Sequence, residues 1–225
     1  MSLRKRAMAA ALVGALPLLA ACGSNTGERN PTEILSQTLQ AAISGGPEVQ
    51  PITTQQIATA LGSTTEPIAL VSLLDRTNQA LVLRIESNGP YETFATSSRQ
   101  SLTVRGGMIT ATRGLGGDLM SSEAEPLLAL IQAGRGGTVP YVTRYLTGDD
   151  QTEVFRYTCS VRDAGTERVA GGGIDIQGRK LAVVCTGTGP SFENTFVIDR
   201  AGQILKSTQY LGDFLGRVSI QMLRR

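Results

Sequence analysis

The feature that most limits what this chain can fold into is its long succession of short, strand-like segments. From residue 67 onward, ten or more such segments follow one another, with almost no helical periodicity between them. In the first half they run over 67–75, 79–86, 91–96, 101–105 and 108–113. In the second half they run over 139–147, 152–162, 168–176, 179–186, 192–199, 204–211 and 214–223. Several alternate with a period of two, such as Leu81, Leu83 and Ile85, or Tyr91, Thr93 and Ala95 against Glu92, Phe94 and Thr96. Turn residues separate them at 76–78, Asn88-Gly89-Pro90, Gly106-Gly107, Gly148-Asp149-Asp150, Ala164-Gly165, Gly178, 187–190 and 200–202. The 26 glycines are what so many turns require. Consecutive strands without intervening helices predict a mainly β fold: a large antiparallel meander, curled into a barrel-like form.

Two or three short helices complete the expectation. Asn30-Pro31-Thr32-Glu33 offers a capping residue and a proline at the first helical position, ahead of Ile34, Leu35, Leu39, Ala42 and Ile43. Thr53 and Gln56 form a capping box for a second helix that ends at Gly62. A third is predicted from Ser122 to Ala133, with Glu123 and Glu125 in its first turn. No internal repeat or low-complexity linker divides the chain, so residues 30–225 read as a single β-rich domain.

The N-terminus constrains location. Arg4, Lys5 and Arg6 precede the uncharged stretch Ala7–Ala21, and Leu19-Ala20-Ala21-Cys22 reads as a lipobox. At fifteen residues, broken by Gly14 and Pro17, the stretch is short of the ~20 needed to span a bilayer. The expectation is a signal peptide over 1–21, lipidation of Cys22, a polar tether over 22–29 and a periplasmic domain beyond it. Each buried methylene of an acyl chain contributes about 0.8 kcal/mol, so two or three chains hold such a domain at a membrane. Gly23, rather than the aspartate that retains lipoproteins at the inner membrane, points to the periplasmic face of the outer membrane.

Composition then excludes several kinds of chemistry. Removing residues 1–21 from the 225 leaves 204 residues with 18 basic against 19 acidic side chains, a net charge of −1. No basic patch suits a nucleic acid. Histidine is absent, which excludes Ser-His-Asp and Cys-His catalytic units and His-ligated zinc. No cofactor or metal is expected. Tryptophan is absent too, leaving five Tyr and five Phe as the available ring faces. With Cys22 lipidated, Cys159 and Cys185 remain, and an even pair in an oxidising compartment reads as a disulfide. Phe155, Tyr157, Cys159 and Val161 share one strand face, as do Leu181, Val183 and Cys185, so both thiols point inward. Closing a loop of about 27 residues is worth roughly 3 to 4 kcal/mol in the chain-entropy model.

Four residues are candidates for ligand contact. Arg113 and Asp118 bracket Gly114-Leu115-Gly116-Gly117, either as polar anchors of a binding loop or as parts of a structural turn, the turn being preferred. Tyr141 and Tyr145 share a strand face and suit either a sugar-contacting strip or core packing, with packing preferred. Asp149, Asp150 and Glu153 read as a solvated turn in preference to a catalytic cluster, because adjacent carboxylates point apart. Gly171-Gly172-Gly173 lacks the Lys-Ser/Thr and helix of a phosphate loop and reads as a bulge or bend.

The lipobox, the segment Ile52–Ile57, the strands Ala69–Leu74 and Ala80–Ile85, and the stretch Gly106–Leu119 together resemble the group 4 capsule and exopolysaccharide-operon lipoproteins of the YjbF/GfcB type. The resemblance covers roughly residues 50–225 and departs from the family in lacking tryptophan. It implies a membrane-anchored, non-enzymatic accessory of exopolysaccharide or capsule production, with the polymer and proteins of the export machinery as partners. It carries over no catalytic residues. Two other readings stay open on sequence: a carrier holding a lipid or other apolar ligand in the curled sheet, and a carboxylate-dependent polysaccharide-modifying enzyme.

Overall fold

The computed structural model describes residues 51–149 and 151–225; the lipobox, the tether and the helix expected after Asn30 lie outside them. Helix α1 (Thr54–Ser63) opens on the Thr53–Gln56 capping box. Strands β1 (Ile68–Leu73), β2 (Asn78–Asn88), β3 (Tyr91–Ala95), β4 (Ser101–Arg105), β5 (Met108–Arg113) and β6 (Leu119–Glu123) follow. Helix α2 (Glu125–Gln132) leads into β7 (Gly137–Leu146), β8 (Thr152–Gly171), β9 (Ile174–Gly187), β10 (Phe192–Ile198) and β11 (Ile204–Tyr210). The short helix α3 (Gly212–Leu215) precedes the last strand, β12 (Arg217–Arg224).

All twelve strands form one antiparallel sheet in the order β5-β4-β3-β2-β1-β12-β11-β10-β9-β8-β7-β6. The chain therefore meanders out to β5, crosses to β6 and meanders back. β1 and β12 pair in the middle, leaving β5 and β6 as the two edges. The sheet curls until these edges meet, which makes a nearly closed barrel. No backbone ladder joins them, yet the seam is not left open. The Thr112 hydroxyl donates to Asp118 Oδ1 at 2.9 Å and accepts from Leu119 N at 2.9 Å. Bringing the edges together shields the rows of N–H and C=O groups that invite aggregation when a sheet edge is open.

Two apolar clusters fill the inner face. One joins Val71, Val82, Phe94, Ile109 and Val218. The other wraps Leu127, Leu128 and Ile131 of α2 with Leu181, Val183 and Phe196. Helix α2 therefore plugs one end of the barrel, the end that also carries the Gly106-Gly107 turn. That turn has φ of +54° and +88°, the left-handed pair a two-residue hairpin needs. At the opposite end lie the turns joining β1–β2, β3–β4, β5–β6, β7–β8, β9–β10 and β11–β12.

Three boundaries differ from expectation. The helix expected at Ser122 starts at Glu125, because Ser121, Ser122 and Glu123 pair with Arg144, Thr143 and Val142 and extend β6. Sheet closure overrides the local helix-start signal there. Ala164-Gly165 is a bulge within β8 and Gly178 lies inside β9, so the three segments expected at 152–162, 168–176 and 179–186 form the two strands of one long hairpin. Its turn is Gly172-Gly173. Beyond the bulge the hairpin bends across the outer face, burying Val169 and Ile174 on Val197 and Leu205. Finally, Phe214 begins no strand; it sits in α3.

Candidate functional site

Five of the ten aromatic side chains line one groove at the end of the barrel away from α2. Inward-facing positions near the ends of β7 and β8 supply Tyr145, Phe155 and Tyr157. Tyr210 closes β11, and Phe214 projects from α3. The remaining lining includes Glu153, Leu146, Thr147 and Pro190, around a hollow of about 260 Å³.

The rings support one another. Tyr145 meets Phe155 edge-on at 6.0 Å between centroids, and Tyr157 meets Phe192 edge-on at 5.0 Å. Phe192 stacks on Tyr210 at 4.9 Å. Edge-to-face and offset contacts of this kind stabilise aromatic pairs beyond simple burial and hold the ring faces in place. The disulfide lies next to this group: Cys159 and Cys185 are directly opposed on β8 and β9, two residues along from the Tyr157–Gly187 pair.

The polar groups of the groove are hydroxyls and carboxylates. The Tyr210 hydroxyl donates to Asp213 Oδ1, and Tyr210 N donates to the buried Asn194 Oδ1 at 2.8 Å. Burial raises the phenol pKa of Tyr210, and the neighbouring Asp213 raises it further. Burial likewise raises Tyr145, and it raises Tyr157 with help from the Asp213 charge. All three phenols are therefore neutral donors at physiological pH. Among the described lining residues there is no Lys or Arg, while Glu153 and Asp213 are both exposed acceptors. Thr143 lies opposite Phe155 on the same inner face and is 3 % exposed.

A second hollow of about 330 Å³ opens at the same end, lined by Asn78, Gln79, Thr96, Gln100 and Ser101 over Val71, Leu73 and Leu115. Arg76 also lines it and stacks on Phe214, with its guanidinium carbon 4.4 Å from the ring centre. Phe214 thus stands between an aromatic, acidic hollow and an amide-lined one.

The four candidate contact residues fall in different places. Tyr145 lines the groove. Tyr141, on the same strand face, is 3 % exposed and packs on Tyr157 at 6.3 Å, with burial pushing its pKa up to about 12. Asp118 uses both carboxylate oxygens inside its own turn, accepting from Gly114 N at 2.7 Å and Leu115 N at 3.1 Å. Arg113 Nη1 donates to Leu119 O at 3.2 Å. These contacts of both residues lie within the β5–β6 connection. Of the acidic turn, Asp149 accepts from the Thr147 hydroxyl, Asp150 lies outside the described residues, and Glu153 reaches the groove. Sequence reading missed Phe155, Tyr157, Tyr210, Phe214 and Asp213 as a group. They come from two stretches far apart in sequence, the start of β8 and the β11–α3 corner, and only the closed sheet brings them together.

Comparison with known proteins agrees with this architecture. The crystal structure of the hypothetical lipoprotein YmcC from Escherichia coli (K12) has a similar fold, with a TM-score of 0.66 and 16% sequence identity. The match covers 89% of this chain and 98% of that one. No curated protein matches the sequence. A family model described as "Group 4 capsule polysaccharide lipoprotein gfcB, YjbF" matches residues 36–223, and the chain belongs to that family.

Proposed function

We propose that this protein is a lipid-anchored accessory of capsule or exopolysaccharide production and export, acting by binding and without catalysis, from the periplasmic face of the outer membrane. The observation that carries this reading is the match to a capsule polysaccharide lipoprotein family over residues 36–223. The lipobox ending at Cys22 supports the anchor, and Gly23 supports the outer-membrane address. In this reading residues 1–21 are removed, 22–29 form the tether and 30–225 form the periplasmic domain.

The groove supports binding over chemistry. Glu153 and Asp213 are both exposed and stand beside aromatic rings, an arrangement suited to accepting hydrogen bonds from a bound ligand. Two apolar clusters occupy the inner face of the sheet, which argues against an apolar ligand enclosed within the barrel.

Deleting the gene and measuring secreted polysaccharide tests the role. The expected result is reduced or altered polymer, restored by the wild-type gene; unchanged polymer overturns the proposal. The anchor is tested separately, by moving Cys22→Ala protein from the membrane pellet to the soluble periplasmic fraction.

A further inference from the structure

We infer that the mouth of the barrel is a saccharide-binding cleft whose aromatic hollow selects sugar units that carry no carboxylate or phosphate groups. This deepens the role proposed above and rests on it. The cleft consists of the two hollows on either side of Phe214, and each supplies what one part of a sugar chain needs.

Sugar rings have apolar C–H faces and a polar rim of hydroxyls. The aromatic hollow offers both complements. Tyr145, Phe155, Tyr210 and Phe214 are half-buried or exposed and present ring surface. Glu153 and Asp213 accept hydrogen bonds from sugar hydroxyls, and the Tyr145 phenol donates one. The hollow, at about 260 Å³, lies near the lower end of small-molecule pocket sizes. Its rings are fixed by mutual packing, so little ordering is required on binding.

The second hollow continues the path. Asn78, Gln79, Gln100, Thr96 and Ser101 pair donors with acceptors around an apolar base, as adjoining sugar units require. Phe214 borders the first hollow with its ring, while Arg76 stacks on that ring from the second. A chain of sugars crossing the mouth would lie over Phe214, the most exposed aromatic side chain at 57%.

Charge sets the selectivity. Glu153 and Asp213 line the aromatic hollow with no cation among the described lining residues. A uronate or phosphate placed there meets two carboxylates across one concave surface, and like charges repel. Neutral sugars escape this repulsion, and an amino sugar gains from it.

The test uses full-length mature lipoprotein in nanodiscs. With no tryptophan, intrinsic fluorescence comes from five tyrosines, three of which line the aromatic hollow. Titration is made with cellohexaose, with the fully deacetylated glucosamine hexamer and with hexagalacturonate. The expected result is saturable tyrosine quenching by the first two and none by the third. Phe214→Ala and Tyr210→Ala weaken binding by about tenfold, the scale for truncating a central aromatic contact. Asp213→Asn weakens the glucosamine hexamer more than cellohexaose, and circular dichroism checks that each variant is folded. Absence of quenching by both uncharged and aminated hexamers overturns the inference, as does equal binding of hexagalacturonate. Complementation separates the two levels. If gene deletion alters the polymer but Phe214→Ala restores it fully, the cleft is wrong and the accessory role stands. If deletion leaves the polymer unchanged, the role itself falls.

Discussion

Gln209 Oε1 accepts a hydrogen bond from Ile109 N at 3.0 Å, across the barrel interior from β11 to the edge strand β5. Both residues are buried, and Gln209 Nε2 also donates to Ser207 Oγ at 2.8 Å. β5 has a strand partner on one side only, so an amide side chain from the far wall takes the place of a missing ladder bond. Gln209→Leu leaves a buried N–H unsatisfied and is expected to cost about 1–3 kcal/mol. A shift of the urea midpoint to lower concentration, with an unchanged slope, checks this. Wild-type stability in the variant would show that water or a backbone shift satisfies Ile109.

The Cys159–Cys185 bridge ties β8 to β9 under the aromatic cleft, with a sequence separation of 26. Closing a loop of that length restricts the unfolded chain, and the stabilisation is about 3–4 kcal/mol in the entropy model. The Cys159→Ala/Cys185→Ala double variant is expected to remain folded, because β8 and β9 share thirteen register pairs and both positions stay apolar. Its stability falls by that amount, and dithiothreitol then has no further effect on it. A double variant as stable as the oxidised wild type would mean the bridge contributes nothing.

Much of this arrangement is legible before folding, and the exceptions have physical causes. The strands around Gly106-Gly107 and the Thr53–Gln56 cap are local: turn chemistry and side-chain reach over three residues decide them. The inward faces of Cys159 and Cys185 follow from a period of two. The β8–β9 hairpin is another matter. Ala164-Gly165 and Gly178 have the composition of turns, but Asp163, Arg168 and Glu167 gain more as parts of a continuous ladder. The groove was legible in fragments only. Tyr145 and Glu153 stand out by pattern, whereas their meeting with Tyr210 and Phe214 depends on barrel closure, which no local signal encodes.

On the outer face of the sheet, Glu167 is held by two lysines: Lys180 and Lys206 each approach one carboxylate oxygen at 2.8 Å. Hydrogen bonds from both lower its pKa below the usual glutamate value. A carboxylate depressed in the folded state stabilises above its unfolded pKa, and that contribution disappears as pH falls through the folded value. Wild type is therefore expected to melt higher than Glu167→Gln at pH 7, with the gap closing on acidification below the ordinary range near 4.5. Melting curves of both proteins from pH 7 to pH 3 check the sign. A gap that is constant or widens at low pH would rule out the ion pairs as its source.

The Gly171-Gly172-Gly173 run acquires its meaning from the strand it touches. Gly173 N donates to Leu223 O at 2.8 Å, so the tip of the β8–β9 hairpin is fastened to β12, near the C-terminus. At Gly172 φ is +59°, and a Cβ there would stand 2.5 Å from Leu223 O. Backbone cannot yield as a flexible side chain can, so Gly172→Ala combines a left-handed conformation with a steric clash. The hairpin tip should lift from β12 and expose Val169 and Ile174, which lie over Val197 and Leu205. Because the barrel ladder of β8 begins before the bulge at Asp163, the damage should stay local. Hydrogen exchange is expected to rise at Gly173 and nearby amides while Val183 and Cys185 stay protected. Exchange spreading to those two residues would show that the fold-over of the hairpin and the barrel wall form one cooperative unit.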